Sequence, residues 1–209
     1  MNGVEQMPVR GARMPRKARR AQLLDSALDV FVAQGYHAAA MDDIAERAGV
    51  SKPVLYQHFP SKLELYLALL EQSSDQIIDA TCQALASTTD NQVRVLATVQ
   101  VFYDYVANEK GAFRLVFESD LTSEPAVRAQ VDRVTSVCAD EIAKVIREDT
   151  GLPDEASHLL AVSLVGMAQV SARYWLDGGG RIDQSQAASL VASLGWRGIS
   201  GFPLTDEPS

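Results

Sequence analysis

The sequence predicts an all-α fold, and three observations carry that prediction. Apolar residues recur at three- and four-residue spacing along almost the whole chain. No segment sustains the period-2 alternation of a half-buried strand. The breaks fall at Gly, Pro, Ser and Asp-Asn positions of the kind that cap or stop helices. A chain of 209 residues is one or two domains with room for a real core.

Residues 17 to 34 carry Leu23, Leu24, Ala27, Leu28 and Phe31 on one stripe, bounded by Gly35. A short helix follows over 42 to 48, with Ile44, Ala45 and Ala48 inward and Asp42 and Asp43 at its electropositive start. Gly49 stops it as a C′ glycine, Ser51 is positioned to cap the next helix, and Pro53 suits a first turn. Two short helices joined at Gly49 form a helix-turn-helix. Leu55 and Phe59, four apart, should lock the second of them to Ile44 and Phe31. After Pro60, Ser61 caps a long helix from Lys62 to about Ala86. Further helices are expected at 91–109, 113–120, 125–149, 154–177 and 183–198, separated by Asp90-Asn91, Lys110-Gly111, Ser123-Glu124-Pro125, Gly151-Leu152-Pro153 and Gly178-Gly179-Gly180. The expected division is a disordered basic arm over 1–15, the helix-turn-helix unit over 16–62, a helical domain over 63–199 and a disordered tail over 200–209, the ends being short of periodic apolar residues.

Composition narrows the function classes. The chain is 47% apolar and 22% charged, as soluble globular domains are. No uninterrupted apolar run reaches the roughly 18 residues of a membrane helix, and no signal sequence is expected, so the reading is cytoplasmic with no membrane partner. Cys82 and Cys138 lack metal-site spacing and read as reduced thiols. The net charge of −8 is uneven. Residues 1 to 62 carry nine Lys/Arg against six Asp/Glu, while the remaining 147 carry ten against twenty-one. A basic head on an acidic body suits a local polyanion contact.

The turn at 51 to 59 has the chemistry for that contact. If its exposed start enters a major groove, Ser51 and Lys52 lie at the DNA, with Lys52 donating to guanine O6/N7 or to a phosphate. Pro53 and Val54 can meet thymine methyl groups. Tyr56, Gln57 and His58 face outward with groups suited to phosphate oxygens. Lys62, at the start of the long helix, would join the free backbone N–H groups in an anion site.

Residues 19 to 70 resemble the DNA-binding domain of TetR-type transcriptional regulators. The matching pieces are Gly35-Tyr36, Ile44-Ala45, Ala48-Gly49-Val50-Ser51, Leu55-Tyr56, His58-Phe59, Ser61-Lys62 and Leu65. The resemblance implies a homodimer with an N-terminal three-helix reader and a C-terminal helical bundle that dimerises and binds a small-molecule effector. Carried over by position, Lys52, Pro53 and Val54 would face bases, and Tyr56, Gln57, His58 and Lys62 phosphates. The chain departs from the pattern at Ala39, Ala40 and Met41, where relatives often carry a phosphate-binding Thr or Ser. That removes a side-chain cap, and Asp42 and Asp43 would repel DNA unless turned aside. Arg16, Lys17, Arg19 and Arg20 can compensate by reaching a phosphate or the minor groove.

The rest of the chain is less explicit. Phe102, Tyr103, Phe113, Phe117 and Met167 could line an effector pocket, with Gln100, Asp104 and Arg173 as polar anchors. Segments 158–176 and 188–196, rich in Ala, Ser and Gly, suggest two helices paired across a dimer axis, the alternative being a tight core within one chain. No HExxH, GxSxG, Walker A or GxGxxG motif is present, so no enzyme, metal or cofactor is expected. The resulting reading is a dimeric repressor released from a palindromic double-stranded operator by an effector. The alternatives are an activator, a regulator without a ligand, or a helical adaptor that has lost DNA affinity.

Overall fold

The computed structural model describes residues 14–107, 111, 121 and 123–198. The described residues form eight α-helices and no strand: α1 Arg16–Ala38, α2 Met41–Arg47, α3 Lys52–His58, α4 Lys62–Ala86, α5 Asn91–Ala107, α6 Pro125–Thr150, α7 Asp154–Asp177 and α8 Gln184–Arg197. The expected helix at 113–120, the first thirteen residues of the arm and the tail lie outside the described residues.

The three N-terminal helices close around Leu23, Leu24, Ala27, Leu28, Phe31, Ile44, Leu55 and Phe59, all buried. Burying each large side chain contributes roughly 1.5–3 kcal/mol, which is how two seven-residue helices, too short to persist alone, are held. Gly35 breaks α1 with φ 75° and ψ 166°, a backbone that L side chains avoid. Helical geometry resumes for one turn to Ala38 rather than stopping at residue 34. Gly49, at φ 64°, lets the chain reverse between α2 and α3, with Val50 N–H donating to Ala45 O at 3.0 Å.

Two capping expectations have different outcomes. Ser61 Oγ accepts from Glu64 N–H at 3.1 Å and opens α4. Ser51 occupies the N-cap position of α3, but its hydroxyl makes no capping bond. The first turn of α3 is held instead by Val54 and Leu55 N–H bonded to the Ser51 carbonyl. Ala40 caps α2 with no side-chain bond, as its lack of a polar group requires.

α4 runs from this unit into the bundle. Phe31, Tyr36 and Tyr66 meet at its start, with ring centroids 5.0–5.9 Å apart, so α1 and α4 share an aromatic joint. Further along, Ser73, Ser74, Ile77, Ile78 and Thr81 are buried, and small side chains there let α6 pack closely. α6 also packs on α7, while α5 packs on α4, α7 and α8. The Cys138 thiol, donating toward Thr81 Oγ1 at 3.7 Å, is pushed up to about 11 by burial.

α7 is long and apolar enough by composition to cross a membrane, although polar and charged residues interrupt it. One face, Ser157, Ala161, Val165, Ala168 and Ala172, is buried in the bundle. Much of its remaining apolar surface is exposed, including Leu159, Val162, Val170 and Tyr174, the last 80% exposed. These recur every three or four residues through Gly166, where an added Cβ would meet nothing within 4 Å, so they form one stripe. On α8, Leu190, Leu194 and Trp196 are likewise exposed.

Candidate functional site

The sequence of α3 sorts its side chains into two faces. Leu55, together with Phe59 just past the helix end, is buried; Ser51, Lys52, Pro53, Tyr56 and Gln57 are exposed; Val54 and His58 are half-buried. A seven-residue helix with two apolar anchors four apart has little rotational freedom. The outward order Ser-Lys-Pro, then Tyr-Gln, is therefore fixed by the core beneath it.

Electrostatics modify individual members. Lys52 Nζ pairs with Asp42 Oδ2 at 2.5 Å, and the partnership pushes the Lys52 ammonium up from its ordinary value. The Asp42 carboxylate is thus turned onto α3 rather than left free to repel a polyanion. His58 is pushed down by burial first, then by Arg16, Arg20 and Arg19. Arg20 lies over the Phe59 ring at 4.3 Å, and Arg19 donates to Gln22 Oε1 at 2.8 Å. Gln22 in turn donates to Ala48 O at 2.9 Å. The start of α1 therefore places a group of cations beside the end of α3.

Lys62 differs from its expectation. Its ammonium donates to Tyr36 O at 2.8 Å, Ala39 O at 2.9 Å and His37 O at 3.3 Å, and sits 4.5 Å from the centre of the Tyr36 ring. Three N–H groups meet three carbonyls left open where α1 ends. The side chain is directed inward as a cap on α1 and is not presented as a free anion-binding group. The signal for this was available in sequence only as the Gly35 break, which exposes those carbonyls.

In the bundle, α5, α6, α7 and α8, with Leu85 at the end of α4, line a partly open cavity of about 420 Å³. Val95, Val99, Phe102, Ile142, Leu164 and Ala168 supply apolar wall, while Asn91, Arg94, Asp149 and Thr150 gather at one end. Of the eight pocket residues expected from sequence, Phe102 lines this cavity. Gln100 and Asp104 bond to each other at 2.8 Å, and Gln184 donates to Asp104 at 2.6 Å, on the surface. Tyr103 is buried against Trp175 at 5.8 Å. Met167 lies against Gly195, and Arg173 is exposed. Phe113 and Phe117 lie outside the described residues. The helical spacing found α5 but not which of its faces looks onto α6 and α7.

The sequence profile of bacterial regulatory proteins of the tetR family matches residues 23–69. That of the tetracyclin repressor-like C-terminal domain matches residues 91–198, more than half the chain. The chain belongs to the TetR family. It is similar to the HTH-type transcriptional activator FasR of Mycolicibacterium smegmatis, with 48% identity over 94% of this chain and 90% of the relative. Two crystal structures share the fold. A TetR-like regulator from Rhodococcus sp. RHA1 is 30% identical, with a TM-score of 0.70 over 91% of this chain and all of that one. A tetR-family regulator from Streptomyces coelicolor is 27% identical, with a TM-score of 0.72 over 87% of this chain and 80% of that one. As a TetR-family protein this is a helix-turn-helix transcriptional regulator that binds DNA, with α2 and α3 as its motif.

Proposed function

We propose that the protein acts as a homodimer that grips a near-palindromic operator with two copies of α3 and activates transcription, its DNA affinity set by a small molecule in the bundle cavity. The observation that carries this reading is the pairing of two exposed faces. α3 presents Lys52, Pro53, Tyr56 and Gln57 outward over a fixed core, with Val54 half-buried between them, and the apolar stripe of α7 with the end of α8 offers a matching surface for a second copy. Two readers joined rigidly gain affinity over either alone, and their spacing sets the half-site separation at about 34–36 Å or a multiple.

Within this reading, Ser51, Lys52, Pro53 and Val54 approach bases. Tyr56, Gln57, His58, Arg19 and Arg20 hold phosphates, which fixes register while the base contacts specify sequence. Lys62 supports the reader from beneath by closing the end of α1. Activation takes the place of the repression expected from sequence because the similar FasR protein is named an activator. The reader itself would serve either outcome, since operator position relative to the promoter decides between recruiting and blocking polymerase.

The effector is proposed to have an apolar body, matching the cavity wall, and a polar end, matching Asn91, Arg94, Asp149 and Thr150. It shifts the dimer between two spacings only by binding one more tightly than the other. The test is selection from a random DNA pool at moderate salt, followed by transcription in vitro from a promoter carrying the enriched site. An enriched palindrome that raises transcription supports the reading. Binding that tracks salt but never sequence overturns it, and an enriched palindrome that lowers transcription overturns its activating direction.

A further inference from the structure

Resting on that cavity reading, we infer that Arg94 is the residue through which the effector acts: it selects a ligand with an anionic end and, on binding it, lets go of the end of α4.

Arg94 is on the first turn of α5, with its side chain 18% exposed, at the polar end of the cavity. Its Nε donates to Leu85 O at 3.1 Å and to Thr88 O at 2.7 Å. Its Nη1 donates to Asn91 Oδ1 at 2.9 Å and to Asp149 Oδ2 at 3.4 Å. One guanidinium therefore joins the last turn of α4, the α4–α5 turn, the start of α5 and the end of α6. The Leu85 carbonyl it holds is among those a helix leaves open at its C-terminus. The same α4 begins at Lys62, beneath the reader, so Arg94 and the aromatic joint secure opposite ends of one rod.

The bond to Asp149 is the weak member. At 3.4 Å it is long for a charge-assisted bond, which is ordinarily about 2.7–2.9 Å. A carboxylate or phosphate on an apolar chain lying in the cavity can give the fork two short, parallel bonds. Thr98, one turn deeper on α5, adds a second sign of an unfilled place. Its Oγ1 is buried without a hydrogen-bond partner, in a residue 8% exposed that lines the same cavity. Rotation of its side chain would bring that hydroxyl to a ligand atom beside the head group, since threonine in a helix uses two rotamers.

An anion gripped side-on, by Nε–H and one Nη–H together, takes the Nε hydrogen away from Leu85 and Thr88. The last turn of α4 is thereby loosened when the cavity is filled, and the rod that carries the reader changes its footing.

The probes are sodium dodecanoate, dodecyl phosphate and dodecan-1-ol, read by fluorescence of Trp196, a cavity residue, in a Trp175→Phe background. The expected result is that at least one anionic probe binds about tenfold or more tighter than the alcohol. Which of the two prevails distinguishes a carboxylate from a phosphate head. Arg94→Gln should erase the preference while leaving dodecan-1-ol binding in place. Asp149→Asn, which removes a competing carboxylate, should strengthen the anions alone. Hydrogen exchange at residues 84–87 should quicken on binding in the wild type and not in Arg94→Gln. Equal affinity for all three probes overturns the role of Arg94 and leaves the cavity reading standing, as does an unchanged preference in both variants. Exchange at residues 84–87 that does not respond to a bound anion overturns the release of α4. If no probe changes Trp196 fluorescence, the cavity reading fails and this inference with it.

Discussion

The two ends of α4 sit in opposite kinds of structure. Around its start, the reader keeps apolar side chains inside and polar ones out: Leu55 and Phe59 beneath, Lys52, Tyr56 and Gln57 above. Around its far end, the bundle leaves a cavity inside and exposes apolar side chains on α7 and α8. A surface meant for a polyanion must stay hydrated and charged until contact. A surface meant for a second copy of the same chain gains by losing water. The comparison implies that damage should segregate: inside-out changes unfold the reader, whereas outside-in changes to the bundle disconnect it.

The largest effect should come from the outer face of the bundle. Val170→Asp places a charge in the middle of the exposed α7 stripe, and the expected outcome is a folded monomer whose operator affinity falls by about 10²–10⁴-fold, the range lost when two linked readers become one. Sedimentation velocity with circular dichroism checks this. A dimer that persists with full affinity would place the dimer axis elsewhere.

Next is the reader's interior. Leu55→Ala should cost about 2–5 kcal/mol, seen as a lowered denaturation midpoint. Removing a 0% exposed side chain from so small a core leaves α3 without its anchor. A variant that binds DNA normally at unchanged stability would contradict the fixed-face argument.

Lys62→Met separates two roles by experiment. A cap on α1 predicts lost stability of about 1.5–3 kcal/mol, the worth of hydrogen bonding to a charged group, with the salt slope of DNA binding unchanged. A phosphate contact predicts the reverse, a slope flatter by about one at full stability.

The smallest expected effect is a pH dependence at His58. Its folded value lies below the ordinary one because burial and the neighbouring Arg16, Arg20 and Arg19 disfavour the imidazolium. The protonated form is thus better tolerated in the unfolded chain. Stability is full above about 6.5, the unfolded value, and is lost as pH falls below it until the folded value is passed. Phosphates beside His58 would favour the charged form, so operator binding should take up a proton and strengthen as pH falls from the alkaline side toward about 6.5. His58→Gln should flatten both trends. Equal pH profiles for the two proteins would remove His58 from the phosphate contacts.

Much of this fold was legible because helix boundaries in this chain are written in chemistry. Ser61 caps, Gly49 reverses, Pro125 opens and Gly151 closes, and the structure places α4, α6, α7 and α8 within about a residue of their expected spans. The reader's outward face was legible for the same reason, since Leu55 and Phe59 leave one orientation for everything between them. What sequence hid were the pairings across elements. Nothing local in Lys62 says that its reach ends on the Tyr36, His37 and Ala39 carbonyls, or that Lys52 meets Asp42. The lining of the cavity was hidden for a related reason. Aromatic spacing marks a stripe, but a void is defined by small and medium side chains on several helices. Nothing local marks Arg94 either, since a single arginine near a helix start is ordinarily solvated.

The central claim is that two copies of α3, held by the α7–α8 face, read one palindrome. The most direct measurement is the stoichiometry and base preference of the complex on an operator selected from random DNA, by analytical ultracentrifugation with competing mutated sites. The account predicts one dimer per palindrome with half-sites one helical turn or a multiple apart. It also predicts discrimination against single-base changes of about 1–3 kcal/mol each, relaxed at particular positions by Lys52→Ala. Independent monomers on any sequence, with affinity governed by salt alone, would contradict it.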